Sequence, residues 1–227
     1  NIECHLVGPR EIRELHPLLL VDDVKLGFYT PLDGHTDPAS ATLAMATGAR
    51  MGGAQIYRHT QVLNTRLLNS GEWEVVTDKG SITCEHVVNA AGSFAKQVGE
   101  WVGLDLPIVN MEHQYLVTDN LPEVEALDRE PPVVRDPKAS CYYRQEQGGI
   151  LIGPYEKAGA EAWGLNGIPW SFDMELLSPE LGRLETSLMH AAERIPCWSE
   201  AGIKSVVHGP ITHTPDGGFL LGPAEGL

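Results

Sequence analysis

The segment Val87-Val88-Asn89-Ala90-Ala91-Gly92-Ser93-Phe94 decides how the fold is interpreted. Its β-branched start and small-residue end predict a buried strand that leads directly into a helix beginning at Ser93. Small residues at such a junction let another backbone, or a flat cofactor, approach closely. An ordinary tight strand-to-helix turn has the same pattern, so the neighbouring segments must decide between the two interpretations.

Composition excludes several classes of partner. The 227 residues include 16 basic and 31 acidic side chains, which gives a formal net charge of -15. Such a charge repels phosphate backbones and anionic lipids, so we expect no nucleic acid and no membrane partner. No run of about 18 apolar residues occurs. We expect a cytoplasmic protein, or one of the mitochondrial matrix if the source is a eukaryote.

The cysteines and histidines give no sign of a metal site. The four cysteines form no CxxC pair, which argues against zinc and against a disulfide-built fold. His208 and His213 are predicted on opposite faces of one strand, so we predict no metal. The chain begins with Asn-Ile-Glu rather than methionine, and we expect it to be a piece of a longer polypeptide.

Periodicity and turn signals predict an α/β (α+β) chain. The clearest helix starts at Asp37-Pro38, where aspartate can cap and proline fits the first position, and stops before Gly52-Gly53. A mostly antiparallel sheet flanked by helices is predicted after Pro107. Helices are expected at 10–16, 38–51, 93–103 and 178–195, and strands at 27–30, 55–59, 62–67, 73–77, 81–84, 87–90, 111–118, 141–145, 149–153 and 203–213.

Seven short segments carry a family resemblance. They are Asp33-Gly34-His35-Thr36-Asp37-Pro38, Val88-Asn89-Ala90-Ala91-Gly92, Glu112-His113-Gln114-Tyr115, Tyr142-Tyr143-Arg144-Gln145-Glu146, Gly153-Pro154-Tyr155-Glu156, Gly209-Pro210-Ile211-Thr212 and Thr214-Pro215-Asp216-Gly217. In this order they resemble the FAD-dependent amine oxidoreductases of the D-amino-acid oxidase and sarcosine oxidase superfamily, most closely the dimethylglycine and sarcosine dehydrogenases. The likeness covers nearly the whole chain.

The resemblance implies part of an FAD/NAD(P)-binding domain and a substrate domain. Residues 1–33 and 98–213 would form the substrate domain, and residues 34–97 and 214–227 would belong to the FAD domain. Family members open with a G-x-G-x-x-G turn that holds the FAD pyrophosphate, and this sequence has none. We therefore expect the isolated chain to lack bound FAD and to be inactive.

The reaction that the resemblance implies is oxidative demethylation of dimethylglycine or sarcosine, with hydride transfer from the N-methyl group to flavin. The implied partners are a small N-methyl amino acid and, as electron acceptor, either an electron-transfer flavoprotein or oxygen. Two alternatives stay open. One is an FAD oxidoreductase for another amino or hydroxy acid, and the other is a non-catalytic small-molecule binding module.

The predicted site combines residue chemistry with family position. His113, whose residue type titrates near working pH, is expected to take a proton from the amine, and Tyr142 to line the same pocket. Arg144 is a candidate clamp for the substrate carboxylate, with Tyr155 beside it. His113 could instead be a satisfied histidine of the sheet, and Arg144 could form an ion pair with Glu146 or Glu156. The resemblance places flavin contacts at Val62, Ala90, Ala91, Gly92, Pro215, Asp216 and Gly217.

Overall fold

The computed structural model describes residues 2–156, 160–224 and 227. The chain divides into two compact units. Unit 1 contains Asn1–His35, Glu112–Glu161 and Met174–Gly209, and unit 2 contains Thr36–Met111, Ala162–Asp173 and Pro210–Leu227. No helix within the described residues is both long enough and apolar enough to cross a bilayer.

The secondary structure is a mixture of helices and mainly antiparallel strands, which confirms the predicted fold class. The described residues form five α-helices: α1 (Pro9–Leu15), α2 (Pro38–Met51), α3 (Ala95–Glu100), α4 (Pro122–Glu125) and α5 (Glu185–Arg194). Short 3-10 helices cover Gly92–Phe94, Leu181–Leu184 and Pro196–Glu200. The strands are β1 (His5–Val7), β2 (Gly27–Tyr29), β3 (Val62–Leu67), β4 (Trp73–Thr77), β5 (Gly80–Cys84), β6 (Val109–Thr118), β7 (Val134–Asp136), β8 (Cys141–Glu146), β9 (Gly149–Pro154), β10 (Ala162–Trp163) and β11 (Ile203–His213).

Unit 1 is built on a sheet with the order β6-β9-β8-β7, whose neighbouring strands run antiparallel. Strand β11 pairs with β6. One face of this sheet forms the core, where Leu116, Tyr143 and Ile152 pack with Ala191 of α5 and with Ile195 just after it. All five are completely buried, and each large apolar side chain contributes about 1.5–3 kcal/mol to folding.

The helix predicted from residue 178 begins later than expected. The buried side chain of Gln114 binds the backbone of Glu180: its Oε1 accepts from the Glu180 N–H at 2.7 Å, and its Nε2 donates to the Glu180 carbonyl at 3.3 Å. Glu180 has φ -126° and ψ 63°, outside the helical region, and its carbonyl also accepts from the Arg183 N–H at 3.1 Å, as in a 3-10 turn. Regular α-helix therefore starts at Glu185, after the 3-10 turn Leu181–Leu184.

His16, which follows α1, is a buried histidine whose Nδ1 has no hydrogen-bond partner among the described residues. Burial lowers its pKa from the ordinary 6.5 to about 4. Between those values the unfolded chain binds a proton that the folded chain excludes, so stability falls as the pH drops. The full loss, reached below pH 4, is about 3 kcal/mol.

We therefore expect His16→Phe to remove most of the decrease in stability between pH 6.5 and pH 4. Urea unfolding at a series of pH values measures this directly, with His5→Phe as an exposed control. An unchanged pH dependence in His16→Phe would assign the acid sensitivity to other groups.

In unit 2, helix α2 is confirmed at both ends. The Asp37 carboxylate accepts a hydrogen bond from the Ser40 N–H at 2.7 Å, Pro38 occupies the first position, and Met51 is the last helical residue. Strands β3, β4 and β5 form an antiparallel sheet, and β10 pairs with the first part of β6.

Two predicted strands of unit 2 are wrong. Residues 87–91 form no strand, and Val88 is 85 % exposed. The Asn89 side chain instead closes a turn, donating to the Ala95 carbonyl at 2.8 Å and accepting from the Ala91 N–H at 3.2 Å. Such local side-chain bonds compete with a strand ladder. Residues 55–59 end in a turn where His59 has φ 52°, a left-handed conformation that a strand excludes.

Candidate active site

One face of the unit 1 sheet, opposite the core, carries the side chains predicted to contact the substrate. Strand register places Tyr142 of β8 between Arg135 of β7 and Gly153 of β9. Val117 of β6 pairs with Leu151 of β9, which in turn pairs with Arg144 of β8, so Val117 lies on the same face as Tyr142 and Arg144. Because side chains alternate along a strand, His113 of β6 lies on this face as well. We call this surface the site face. Tyr143, one residue along from Tyr142, points into the core as the two-residue period requires.

Three aromatic rings meet on the site face. The ring centroids of Tyr142 and Tyr155 are 5.3 Å apart, those of His113 and Tyr155 6.0 Å, and those of His113 and Tyr142 6.5 Å. Of the four substrate-site residues predicted from sequence, the structure thus brings His113, Tyr142 and Tyr155 together. We call these three residues the aromatic cluster. Their assigned roles in chemistry remain predictions.

The backbone explains why the tyrosines of the cluster lie where they do. The Tyr142 ring covers Gly153, and a Cβ atom at that position would overlap the ring and its hydroxyl. Ser140 fixes Tyr155, because its carbonyl accepts from the Tyr155 N–H at 2.6 Å and its hydroxyl donates to the Tyr155 carbonyl at 2.8 Å. The Gly-Pro-Tyr sequence therefore provides both the space for one ring and the position of the other.

Tyr142 is held as a neutral phenol. Burial, reinforced by the neighbouring Tyr155 and Tyr115, raises its pKa to about 12, although Arg144 opposes the shift. A group with this pKa remains protonated throughout the working pH range. Tyr142 can therefore donate a hydrogen bond, and it does not act as an anionic base at neutral pH.

Arg144 shares the site face but is already paired. Its Nη1 lies 2.5 Å from Glu146 Oε2 and donates to the Gln145 carbonyl at 3.1 Å. The alternative considered from sequence, an ion pair with Glu146, is therefore present, whereas Glu156 pairs elsewhere. The substrate-clamp role of Arg144 stays a prediction.

Sequence reasoning missed a second arginine on this face. The guanidinium carbon of Arg135 lies 4.8 Å from the centroid of the Tyr155 ring, within the range of a cation–π contact. The sequence patterns predict no strand between residues 118 and 141, so the short strand β7 is missed. The β-branched pair Val133 and Val134, bounded by Pro132 and Pro137, is the signal that could have found it.

Behind the sheet, one guanidinium fixes the strands that carry the cluster. Arg183 donates to Glu112 at 2.8 Å and to both carboxylate oxygens of Glu156, at 3.1 and 3.2 Å, and also pairs with Glu180 at 3.0 Å. Glu112 precedes His113, and Glu156 follows Tyr155. We call Arg183, Glu112 and Glu156 the Arg183 cluster. One cation therefore binds the residue next to His113 and the residue next to Tyr155, and so helps to position both site residues.

His208 of β11 extends the Arg183 cluster. Its Nε2 lies 3.2 Å from the Glu112 carboxylate, and its Nδ1 lies 2.6 Å from the Ser178 carbonyl. Its ring is 1 % exposed, so these contacts are shielded from water. The strand that carries His113 is therefore held from behind by both Arg183 and His208.

The predicted flavin contacts belong to unit 2. Val62 begins β3, and Ala90, Ala91 and Gly92 form the turn that Asn89 closes. Near the end of the chain, the Asp216 carboxylate accepts from the Gly218 N–H at 3.0 Å, and this bond together with the Thr214 hydroxyl lowers its pKa. Gly217 has φ 71°, which suits a tight turn.

Comparison with known proteins assigns the chain to a family. The family model described as FAD dependent oxidoreductase matches residues 1–227. The chain belongs to this family. FAD-dependent oxidoreductases use FAD, which supplies the electron-accepting chemistry that protein side chains lack.

Individual relatives of this chain have informative names. The chain is 42% identical over 229 residues to the mitochondrial dimethylglycine dehydrogenase of Rattus norvegicus, covering 99% of this chain and 27% of that protein. It is 33% identical over 232 residues to the mitochondrial sarcosine dehydrogenase of Mus musculus, covering 100% of this chain and 24% of that protein. The chain thus spans about a quarter of the length of these relatives.

A solved structure shows the same fold. The L-proline dehydrogenase of P. horikoshii superposes with a TM-score of 0.81 at 27% identity, over 99% of this chain and 57% of that one. The match covers both compact units of this FAD-dependent oxidoreductase.

The residues predicted to hold the cofactor have open space around their backbone, which is compatible with a flavin. Among residues 2–156, 160–224 and 227, and apart from each glycine and its two chain neighbours, no heavy atom lies within 4 Å of the position that a Cβ would take at Gly92 or Gly217. Ala90 and Gly92 are exposed, so a planar or phosphate-bearing group can reach their backbone. If these segments bind FAD, they would hold it by backbone contacts, together with Val62.

Proposed function

We propose that the protein containing this chain oxidises N-methylated glycine, either dimethylglycine or sarcosine, by hydride transfer from the N-methyl group to FAD. The observation that carries the proposal is the aromatic cluster of His113, Tyr142 and Tyr155, which lies on one sheet face beside arginines. The 42% identity to a dimethylglycine dehydrogenase supports the choice of substrate.

The chemistry explains why a histidine is needed. An amine releases hydride only when it is neutral, and deprotonation at pH 7 costs about 4–5 kcal/mol if lysine's pKa of about 10.4 represents the amine. We infer that His113 accepts this proton at a ring nitrogen, because histidine exchanges protons near neutral pH. FAD, when bound, accepts the hydride and so carries out the oxidation itself.

The two tyrosines have distinct tasks in this proposal. Tyr142, neutral because of its raised pKa, donates a hydrogen bond to the substrate. Tyr155 and the face of Tyr142 pack against the N-methyl groups and exclude water. A positively charged amine is also attracted to such rings before it loses its proton.

The assignment of segments to domains is part of the same proposal. Residues 34–97 and 214–227 would contribute to the FAD domain, and residues 1–33 and 98–213 to the substrate domain. If the source is a eukaryote, the names of the relatives, which say mitochondrial, support a mitochondrial location, and within the mitochondrion we propose the matrix. Electrons would pass from the flavin to an electron-transfer flavoprotein or to oxygen.

The decisive experiment is anaerobic reduction of the flavin in the purified full-length gene product. We expect the visible flavin bands to bleach with dimethylglycine or sarcosine and to remain with glycine, alanine or lactate. Bleaching only by primary amino acids or hydroxy acids would identify the other class of FAD oxidoreductase. A full-length protein that binds no flavin would instead favour the binding module. The isolated 227-residue chain serves as the comparison and should bind no FAD.

A further inference from the structure

Two arginines share the site face, and only one of them already holds a carboxylate. Arg144 Nη1 lies 2.5 Å from the Glu146 carboxylate and also donates to the Gln145 carbonyl at 3.1 Å, so the Arg144 charge is already paired within its own strand. Arg135 forms no ion pair within residues 2–156, 160–224 and 227. Its guanidinium is therefore open to a carboxylate from outside the chain.

The position of Arg135 suits substrate recognition. It faces Tyr142 across the β7–β8 pair, and its guanidinium lies over Tyr155. A guanidinium stacked on a ring keeps the N–H donors at its rim, where they match the two oxygens of a carboxylate. The Tyr155 ring also contacts His113, so a small amino acid can meet a cation at one end and an imidazole at the other.

We propose that Arg135, rather than Arg144, binds the carboxylate of the amino acid substrate. The inference rests on the proposed function and deepens it by assigning recognition of the acid group. In this assignment Arg144 has a structural role: its ion pair with Glu146 on the same strand stabilises the sheet face on which the aromatic cluster lies. Tyr155 orients the guanidinium of Arg135 by stacking.

Binding of acetate to the full-length flavoprotein tests the assignment without turnover. Calorimetric titration of the wild type should detect acetate, and Arg135→Met should weaken it about 10- to 100-fold, as loss of a charge-assisted hydrogen-bond pair predicts. Arg135→Lys should recover part of the affinity, because the charge remains but the paired donors do not. Arg129→Met, at an exposed arginine outside the site face, is the matched control.

Two results would overturn the assignment. One is a wild type that binds no acetate. The other is a loss of acetate binding in Arg144→Met with full binding in Arg135→Met. Arg135 is exposed and lies at an edge of the sheet, so its substitution should not disturb folding.

Kinetics separate this inference from the proposed function. Arg135→Met should raise KM for dimethylglycine about 10- to 100-fold and leave KM for dimethylglycine amide, which lacks the acid, unchanged. Equal KM values for dimethylglycine in the wild type and Arg135→Met would refute the Arg135 assignment while the function stands. Acetate binding that depends on Arg135, in a protein that oxidises no N-methyl glycine, would support the carboxylate site and refute the proposed function.

Discussion

His113→Gln in the full-length flavoprotein is expected to slow flavin reduction by dimethylglycine about 10²- to 10⁴-fold at pH 7. Glutamine keeps a polar side chain of similar reach on β6 but cannot accept the proton of the amine. The variant must therefore draw on the small fraction of substrate that is already neutral in solution. Rapid-mixing measurement of flavin bleaching under anaerobic conditions gives this rate directly.

The pH dependence of the loss distinguishes a base from a packing residue. As the pH rises toward the pKa of the amine, about 10 by analogy with lysine, solvent supplies the neutral form and the gap between variant and wild type should narrow. His5→Gln, at an exposed histidine of β1, is the control and should leave the rate unchanged. A deficit that is constant with pH would show that His113 only packs against Tyr142 and Tyr155.

Local signals explain which parts of the fold the sequence predicted. Helix α2 follows from a capping aspartate, a proline at the first position and a pair of glycines, all within the helix and its flanks. The pairing of β4 with β5 and of β8 with β9 follows from short strand-forming segments joined by glycine-bearing turns. Each of these features needs only neighbouring residues, so local sequence signals were sufficient.

Non-local contacts explain the failures. Val87 and Val88 have strand-forming side chains, but the Asn89 amide closes a turn, and no described strand pairs with them. The late start of α5 depends on Gln114, which is distant in sequence from Glu180. Neither outcome follows from propensity, because in each a single side chain hydrogen-bonds the backbone of a segment that lies outside the regular element.

The candidate site also combines features that local sequence patterns predict with features that depend on non-local contacts. The shared face of Tyr142 and Arg144 follows from the two-residue period of a strand. The open guanidinium of Arg135 depends on cross-strand register and on where Tyr155 lies beyond the end of β9. Sequence reasoning therefore found the aromatic residues, whereas only the structure shows which arginine already has a carboxylate partner.

The Arg183 cluster had no sequence signal at all, and its removal should have a large effect on stability. Arg183→Met is expected to lower the free energy of unfolding by about 3 kcal/mol at pH 8. The side chains of Glu112 and Glu156 are only 13% and 5% exposed, so the variant buries two carboxylates that have lost their main cation. Urea unfolding measures the change, and Arg10→Met, which breaks an exposed pair with Glu14, should cost less than about 1 kcal/mol.

Two further measurements test the cause of this loss. Buried carboxylates without a cation favour the protonated form, so the deficit of Arg183→Met should shrink as the pH falls from 8 to 5. Adding Glu112→Gln and Glu156→Gln to Arg183→Met should recover much of the stability, because neutral amides need no counter-charge. If the triple variant is no more stable than Arg183→Met, the guanidinium acts by packing rather than by charge. The positions of His113 and Tyr155 would then depend on the shape of Arg183 and not on its ion pairs.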